Sequence, residues 1–556
     1  MPTFDDEKQE KELSEIKLQE EEDLIRLLAQ KNGLPYIDLV PVPIETDALR
    51  LLPESEAREV KIASFAVNGK KVGVAVFSPN KEGVTAAIEK ITKAGFTPTL
   101  YMASTRSLEK AWSRYKELSE MTVTHEGEVG LESGIIADTA AKVQTLPELV
   151  PLLGGILNDK DPNRVSRFVE LILGSAIALD ASDIHIEPEA SSVRLRFRLD
   201  GILQEVLSFE RAIYALVNSR VKLLAGLKLN VKSEAQDGRF SVNLKDTDIE
   251  IRVSLLPGAY GESIVLRVLN PKTIAVPFED LGLHPRLLEV VEQQIAKPNG
   301  MLLTTGPTGS GKTTTLYAFL RKIYSPGVKV ITIEDPIEYH LAGIVQTQTD
   351  KDKGYTFAQG LRSALRQDPD VLMVGEIRDE ETAEVAINAS LTGHLVFSTL
   401  HTNNAAGSFP RLIDLGVNPK VISSAVNLSL AQRLVRKLCA ACKEETTPTE
   451  KEKAQIDTVL RDMPNTFAPK EIGKIWKPKG CEKCNNTGYK GRTGVYEAIQ
   501  ADAAIEKIIR ENPSEREIAA AARPQEIPTM QEDGVLKVLS GITSLEELER
   551  VVDLTK

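Results

Sequence analysis

The chain has 556 residues, of which 42% are hydrophobic and 27% charged, with a formal net charge of −12. That length predicts three or four domains of a globular protein, and the acidic balance argues against broad binding to nucleic acid or to anionic membrane. No apolar run approaches the roughly 18 residues of a membrane-spanning helix. The N-terminus, MPTFDDEKQEKELSEIKLQEEED, lacks the apolar stretch of a signal peptide, so a cytoplasmic location is expected.

In chain order, residues 6–30 read as a charged helix that turns amphipathic at LIRLLAQ. REVKIASFAV and KKVGVAVF read as a hairpin joined by Asn68-Gly69, a pair that accepts the positive φ of a type I′ turn. A helix (EGVTAAIEKITKA), a strand (FTPTLYMA) and a second helix (LEKAWSRYKEL) complete a small α/β domain over 1–118. Residues 119–146 lack periodicity and read as a linker.

A second domain over 147–270 is expected to open on the helix VSRFVELILGSAIAL. Strands VRLRFRLDG and GILQEVLSF, the helix RAIYALVNSRVKLLAG, and strands GRFSVNL, IEIRVSLL and SIVLRVLN follow. In 193-VRLRFRLDG-201 the strand period of two puts Arg194, Arg196 and Arg198 on one face and Leu195, Phe197 and Leu199 on the core. Three like charges in a row repel one another unless an anion or carboxylates lie opposite.

From about 278 strands alternate with helices, which predicts an α/β domain to the C-terminus at 556. Its first strand, around Met301–Leu303, runs into 306-GPTGSGKTT-314 and then a helical TLYAFLRKIY. This strand–loop–helix setting is the one in which Gly-x4-Gly-Lys-Thr cradles a nucleotide's phosphates. Gly306, Gly309 and Gly311 allow backbone N–H groups to curl around an anion, and the following helix points its positive end at it. Lys312 is expected to reach the β- and γ-phosphates and the Thr313 hydroxyl to ligate Mg2+. Three further strands end in polar clusters, 334-EDPIE-338, 368-DPDVLMVGEIRD-379 and 393-GHLVFSTLH-401. Strand C-termini of a parallel sheet face the ligand. Hydrolysis needs a carboxylate on the metal, a group to activate water and a γ-phosphate sensor.

The four cysteines form two C-x2-C pairs, Cys439/Cys442 and Cys481/Cys484, separated by 38 residues. In a reducing compartment that pattern favours a closed tetrahedral Zn2+ site over disulfides, with a sizeable loop tied off between the pairs. The tail from about 495 reads as helical.

The third domain resembles the ATPase family of type II secretion and type IV pilus assembly. The matching residues are GPTGSGKTTT as Walker A, ITIEDPIEY as the Asp box, LRQDPDVLMVGEIRD as Walker B and TGHLVFSTLHTNNA as the His box. Upstream, ASDIHIEP, RLRFRLDG, QDGRF and GESIVLRVLN extend the likeness over roughly 150–500. The resemblance implies a RecA-like ATPase core preceded by a small PAS-like α+β domain, acting as a homo-hexamer on the cytoplasmic face of the inner membrane. Residues Gly306, Pro307, Thr308, Gly309, Ser310, Gly311, Lys312, Thr313 and Thr314 would hold ATP. By position Glu338 resembles the general base and Glu376 the Mg2+-associated Walker B acid, with Gly375 where many other phosphate-loop enzymes have aspartate. His394 and His401 would sense the γ-phosphate. Arg196, with Arg211, would act as an arginine finger, within the chain or across a subunit boundary; Arg239 lies near that set in sequence order. The zinc pairs and the long N-terminal region are similar to the assembly branch rather than to retraction ATPases. The implied partners are a membrane platform protein and an adaptor, with a type IV pilus preferred and type II secretion the alternative. A DNA-uptake motor or a nucleotide-dependent switch would be the remaining readings, and no nucleic acid is expected. The N-terminal segment lacks the paired Arg-Leu-Gly motifs through which some relatives bind cyclic di-GMP, so partner docking is expected of it.

Overall fold

A computed structural model describes residues 21–556 except 43, 50, 69–70, 82, 94, 118–122, 125–127, 130–135, 137, 140–142, 160, 162, 245–246, 272–274, 351–352, 462, 465, 470–471, 512 and 556. The predicted helix before residue 21 and most of the predicted linker lie outside the described residues. The chain divides into two compact units, 1–123 and 124–556.

The first unit is a three-stranded sheet with helices against it. Ile62–Asn68 and Lys71–Val76 pair antiparallel, and Thr97–Met102 joins parallel after the helix Val84–Lys93. The register sets Asn68 opposite Lys71, so the connecting residues are 69–70, one place later than expected and outside the described residues. Ser104 caps the helix Thr105–Ser113 by accepting from Ser107 N–H at 3.2 Å. That helix buries Leu108, Ala111 and Trp112, and the Trp112 indole donates to the Ile62 carbonyl at 2.9 Å.

Among the described residues the second unit contains two large sheets besides short two-stranded ribbons. The smaller is antiparallel, in the order Ile202–Phe209, Val193–Leu199, Asp183–Pro188, Gly261–Leu269, Thr247–Gly258, Gln236–Leu244. Helices Arg164–Ala178 and Arg211–Leu224 accompany it. Along Val193–Leu199 the residues Val193, Leu195, Phe197 and Leu199 are buried and the three arginines lie on the other face, as the alternation predicts. Two elements were not anticipated. A helix over Leu146–Leu157, with a Thr145/Glu148 capping box at its start, precedes Arg164–Ala178 at the opening of the expected second domain, where the sequence reading assigns no element. The stretch Asp183–Pro188 is a sixth strand, central in the sheet.

The larger sheet has the order Val345–Gln348, Val330–Glu334, Val371–Val374, Leu395–Leu400, Gly300–Thr305, Val426–Leu438, Tyr489–Gln500. Every neighbouring pair is parallel except the last. Four of its central strands are buried at every residue, as a parallel sheet covered on both faces requires. The register aligns Ile333 with Val374, Val374 with Ser398 and Leu303 with Ser398. The strands therefore end along one edge, where Gly306, Asp335, Gly375 and His401 begin the loops. Between the cysteine pairs lie a short ribbon, Glu444–Thr446 with Ile475–Lys477, and the helix Glu450–Leu460. The strand Tyr489–Gln500 runs through position 495, so the helical tail starts only at Ala503.

Inside the smaller sheet's layer a charged pair is buried. The Lys222 ammonium, 1% exposed, lies 2.7 Å from a Glu262 carboxylate oxygen, itself 3% exposed. Lys222 also donates to the Val231 carbonyl at 2.6 Å, and Asn218 donates to Glu262 at 2.8 Å. Removing one member leaves an uncompensated buried charge, whereas replacing both with apolar groups does not. Lys222→Met is expected to lower unfolding stability by about 3–5 kcal/mol, and the Lys222→Met, Glu262→Leu pair by much less. Denaturant unfolding checks this; equal losses for single and double variants would contradict it.

Candidate active site

At the edge of the larger sheet the chain leaves Thr305 with Gly306 at φ 143°, and Gly309 and Gly311 also take positive φ, 79° and 89°. A Cβ at Gly306 would stand 2.6 Å from the Gln432 carbonyl oxygen, so both space and backbone angle demand glycine there. Gly311 is the N-cap of the helix Lys312–Ile323, whose first N–H groups face the loop. The Lys312 ammonium donates to the carbonyls of Gly306, at 2.8 Å, and Pro307, at 3.2 Å. Burial lowers its pKa; Glu376 pulls it back up and Arg433 pushes it further down. Gln432 braces the loop from the neighbouring strand, its amide donating to the Ser310 carbonyl at 2.6 Å. The buried Ser310 hydroxyl has no partner among the described residues. A glycine-bounded turn with inward N–H groups, a cation folded over it and an unpaired hydroxyl fits a polyphosphate.

On the next strand but one, Glu376 follows Gly375 and is 12% exposed. Its carboxylate meets Arg378 Nε at 2.5 Å and His401 Nε2 at 3.4 Å. Gly375 N–H donates to the Ile333 carbonyl at 2.8 Å, and a Cβ there would come within 3.3 Å of that oxygen and of the Phe357 ring. The tight fit explains a glycine at this position. His394 is at the opposite end of its strand from His401. Its Nδ1 lies 3.0 Å from the Ala389 carbonyl, at the end of a helix, which corrects its expected role as a phosphate sensor.

Glu334 and Glu338 part company. Glu334, 2% exposed, accepts from Tyr317 of the phosphate-loop helix, from Thr332 at 2.5 Å and from Gln346 at 3.1 Å. Burial raises its pKa against those hydrogen bonds. It ties the helix to the sheet. Glu338, beyond it, is 33% exposed and pairs with Arg252 at 3.1 Å.

The arginine face of Val193–Leu199 is neutralised within the small domain. Arg196 pairs with Glu187, Arg194 with Glu189 at 3.0 Å, and Arg198 with Asp183 at 3.5 Å. Arg211 donates to the carbonyls of Glu189, Ala190 and Tyr260. The structure thus brings Lys312, Glu376 and His401 together, and the small-domain arginine it brings to Glu338 is neither Arg196 nor Arg211.

Sequence reasoning missed Arg252, Arg378, Gln432, Arg433 and Glu497. Arg378 stood in the quoted GEIRD. Arg433 donates to the carbonyls of Gln432 and Asn403, beside the phosphate loop. Glu497, its pKa raised by burial, accepts from Ala405 N–H at 2.8 Å and Met530 N–H at 3.2 Å, fixing the loop after His401. The contacts of Arg252 with Glu338, Gln432 with Ser310 and Glu497 with Ala405 join residues more than 60 apart in the chain, and no local pattern carries them.

The four cysteine sulfurs all lie within 4.8 Å of one another. Cys439 and Cys481 are 3.9 Å apart, Cys442 and Cys484 3.8 Å, and Cys481 and Cys484 3.7 Å. A tetrahedron with Zn–S near 2.3 Å has edges of about 3.8 Å. The set fits zinc and leaves no coordination position open.

A phosphate loop at the carboxyl edge of a parallel sheet, with acids and a histidine on adjacent strand ends, defines a RecA-like nucleotide-binding protein. The model of the family described as "Type II/IV secretion system protein" matches residues 158–550, and that of the MshEN domain matches 32–122. The chain belongs to the type II/IV secretion system protein family. It is 46% identical over 406 residues to type II secretion system protein E of Pseudomonas aeruginosa, covering 73% of this chain and 79% of that one. To the type II secretion system ATPase E of Vibrio cholerae it is 37% identical, covering 92% and 99%. To the type IV pilus assembly ATPase PilB of Thermus thermophilus it is also 37% identical, covering 95% of this chain and 57% of that one. No helix among the described residues is long and apolar enough to cross a membrane.

Purified protein is expected to carry about one Zn2+ per chain. Cys481→Ser should lose the metal and lower the melting temperature while leaving the affinity for an ATP analogue within about threefold, since structural zinc supplies folding energy. Metal analysis and calorimetry check this; a metal-free wild-type chain of unchanged stability would contradict it.

Proposed function

We propose that the chain is a mechanochemical ATPase. The observation that carries this reading is the convergence of Lys312, Glu376 and His401 at one sheet edge, with Glu338 on an adjoining loop. ATP would lie with its phosphates in 306–314, Lys312 exchanging its carbonyl partners for the β- and γ-oxygens. Thr313 and Glu376 would hold Mg2+, which neutralises charge developing on the phosphates. Glu338 takes a proton from the attacking water, and His401, through its contact with Glu376, senses the γ-phosphate. Arg196 and Arg211 are assigned to the γ-phosphate of a neighbouring subunit in a hexamer, each giving up its present partners to do so.

Turnover drives the assembly of pilin-like subunits through a membrane platform protein, with an adaptor docking on the N-terminal domain. A type IV pilus is the first reading. Type II secretion is the second, favoured by the 46% identity to a secretion ATPase; over nearly the whole chain a relative of each kind is equally similar, at 37%. A pure switch has no use for a hydrolytic acid beside a metal acid, which weighs against that alternative. Deleting the gene separates the two systems: loss of surface filaments supports the pilus, loss of exported proteins supports secretion, and loss of neither overturns both.

Lys312→Ala should abolish ATP binding, whereas Glu338→Gln should bind ATP and lose about 10²–10⁴-fold in kcat. Near-wild-type turnover by Glu338→Gln would remove it from the base role. For the arginines, mixing Arg196→Ala with Glu338→Gln chains should restore part of the hydrolysis at mixed interfaces. An Arg196→Ala assembly as active as wild type would end that assignment.

A further inference from the structure

Arg252 lies on the strand Thr247–Gly258, directly opposite Arg239 on one neighbouring strand and Arg267 on the other. Three guanidinium groups in register across a sheet are unfavourable unless each finds an anion. Arg267 finds Asp183 at 3.0 Å, and Arg239 is exposed. Arg252, in the middle and 23% exposed, turns out of the sheet to the ATPase domain. Its Nη1 donates to the Glu338 carboxylate at 3.1 Å, its Nη2 to the Ile337 carbonyl at 2.6 Å, and its Nε to Glu250 at 3.2 Å.

This fork grips the backbone just before Glu338 and the tip of its side chain together. A glutamate has three rotatable side-chain bonds, and a base that samples them all is seldom aimed at its water. Fixing both ends removes that freedom, and misplacement of a reacting group by about 1 Å can cost 10²-fold. The other charged or titratable groups around Glu338 are Glu334 and Tyr317, which hydrogen-bond each other, and Glu250 on the far side of the guanidinium. Arg252 is thus the cation that faces this carboxylate.

We propose that Arg252 is a positioning residue for the hydrolytic base: it holds the Glu338 carboxylate in place and so makes turnover depend on how the small domain is seated on the ATPase domain. This rests on the reading of Glu338 as the base.

Full-length Arg252→Ala and Arg252→Lys are compared with wild type at equal assembly state. Arg252→Ala should lose about 10–100-fold in kcat with its affinity for a non-hydrolysable ATP analogue within about threefold. Arg252→Lys, which keeps the charge without the fork, should also lose kcat, because the grip on both the Ile337 carbonyl and the Glu338 carboxylate is gone. Melting temperatures of the nucleotide-free Arg252→Ala, Glu338→Gln and double variants give a readout independent of turnover. The two single losses should sum to more than the loss in the double, because the side chains interact. If Glu338→Gln turns over normally while the melting losses couple, the base reading fails and with it the catalytic role of Arg252. If Glu338→Gln is inactive but Arg252→Ala keeps wild-type kcat, or if the melting losses simply add, the positioning role is overturned.

Discussion

A phosphate group can be held without a strong side-chain cage only where several backbone N–H groups converge on one point. In this chain that point is made by the parallel sheet. Buried strands that run the same way deliver their ends to one edge, and there Gly306, Gly309 and Gly311 take backbone angles that other residues resist. Everything else in the site is arranged relative to that loop. Gln432 braces it, Lys312 folds over it, and Glu334 pins the following helix through Tyr317.

Hydrogen bonds and ion pairs link the same edge to distant parts of the chain. The Thr305 hydroxyl, one residue before the loop, contacts the Thr402 hydroxyl at 2.7 Å, one residue after His401. Glu497 then fastens Ala405 to the start of the helix Met530–Leu539. That helix carries Asp533, paired with the buried Lys537 at 2.5 Å and accepting from Tyr496 N–H at 2.8 Å. Arg436 and Glu547, 2.7 Å apart, tie the strand leading to the first cysteine pair to the last helix.

What the sequence made legible is what local chemistry encodes. The phosphate loop, the cysteine pairs and the alternation of Val193–Leu199 are contiguous patterns, and each is found as read. The helix Leu146–Leu157 contains Pro151 and Gly154-Gly155, residues that weaken a helical pattern, yet Pro151 is accommodated inside it. The strand Asp183–Pro188 is short and polar at every other position, so it carried little signal on its own. The arginine face was visible, but its partners, Asp183, Glu187 and Glu189, come from that unrecognised strand and its end. Arg252 was a strand residue like its neighbours until the register set it between two other arginines and the tertiary fold brought Glu338 within reach. Such contacts depend on how sheets are ordered, which no window of sequence contains.

The central claim is that ATP binds with its γ-phosphate between Lys312, Glu376 and Glu338. A crystal structure of Glu338→Gln chains with ATP and Mg2+ tests it most directly. The account predicts an intact triphosphate in 306–314, Lys312 released from the Gly306 and Pro307 carbonyls onto the phosphates, Mg2+ on Thr313, and a water between the γ-phosphate and residue 338. A nucleotide bound elsewhere, or residue 338 turned away from the γ-phosphate with no water between them, would contradict it.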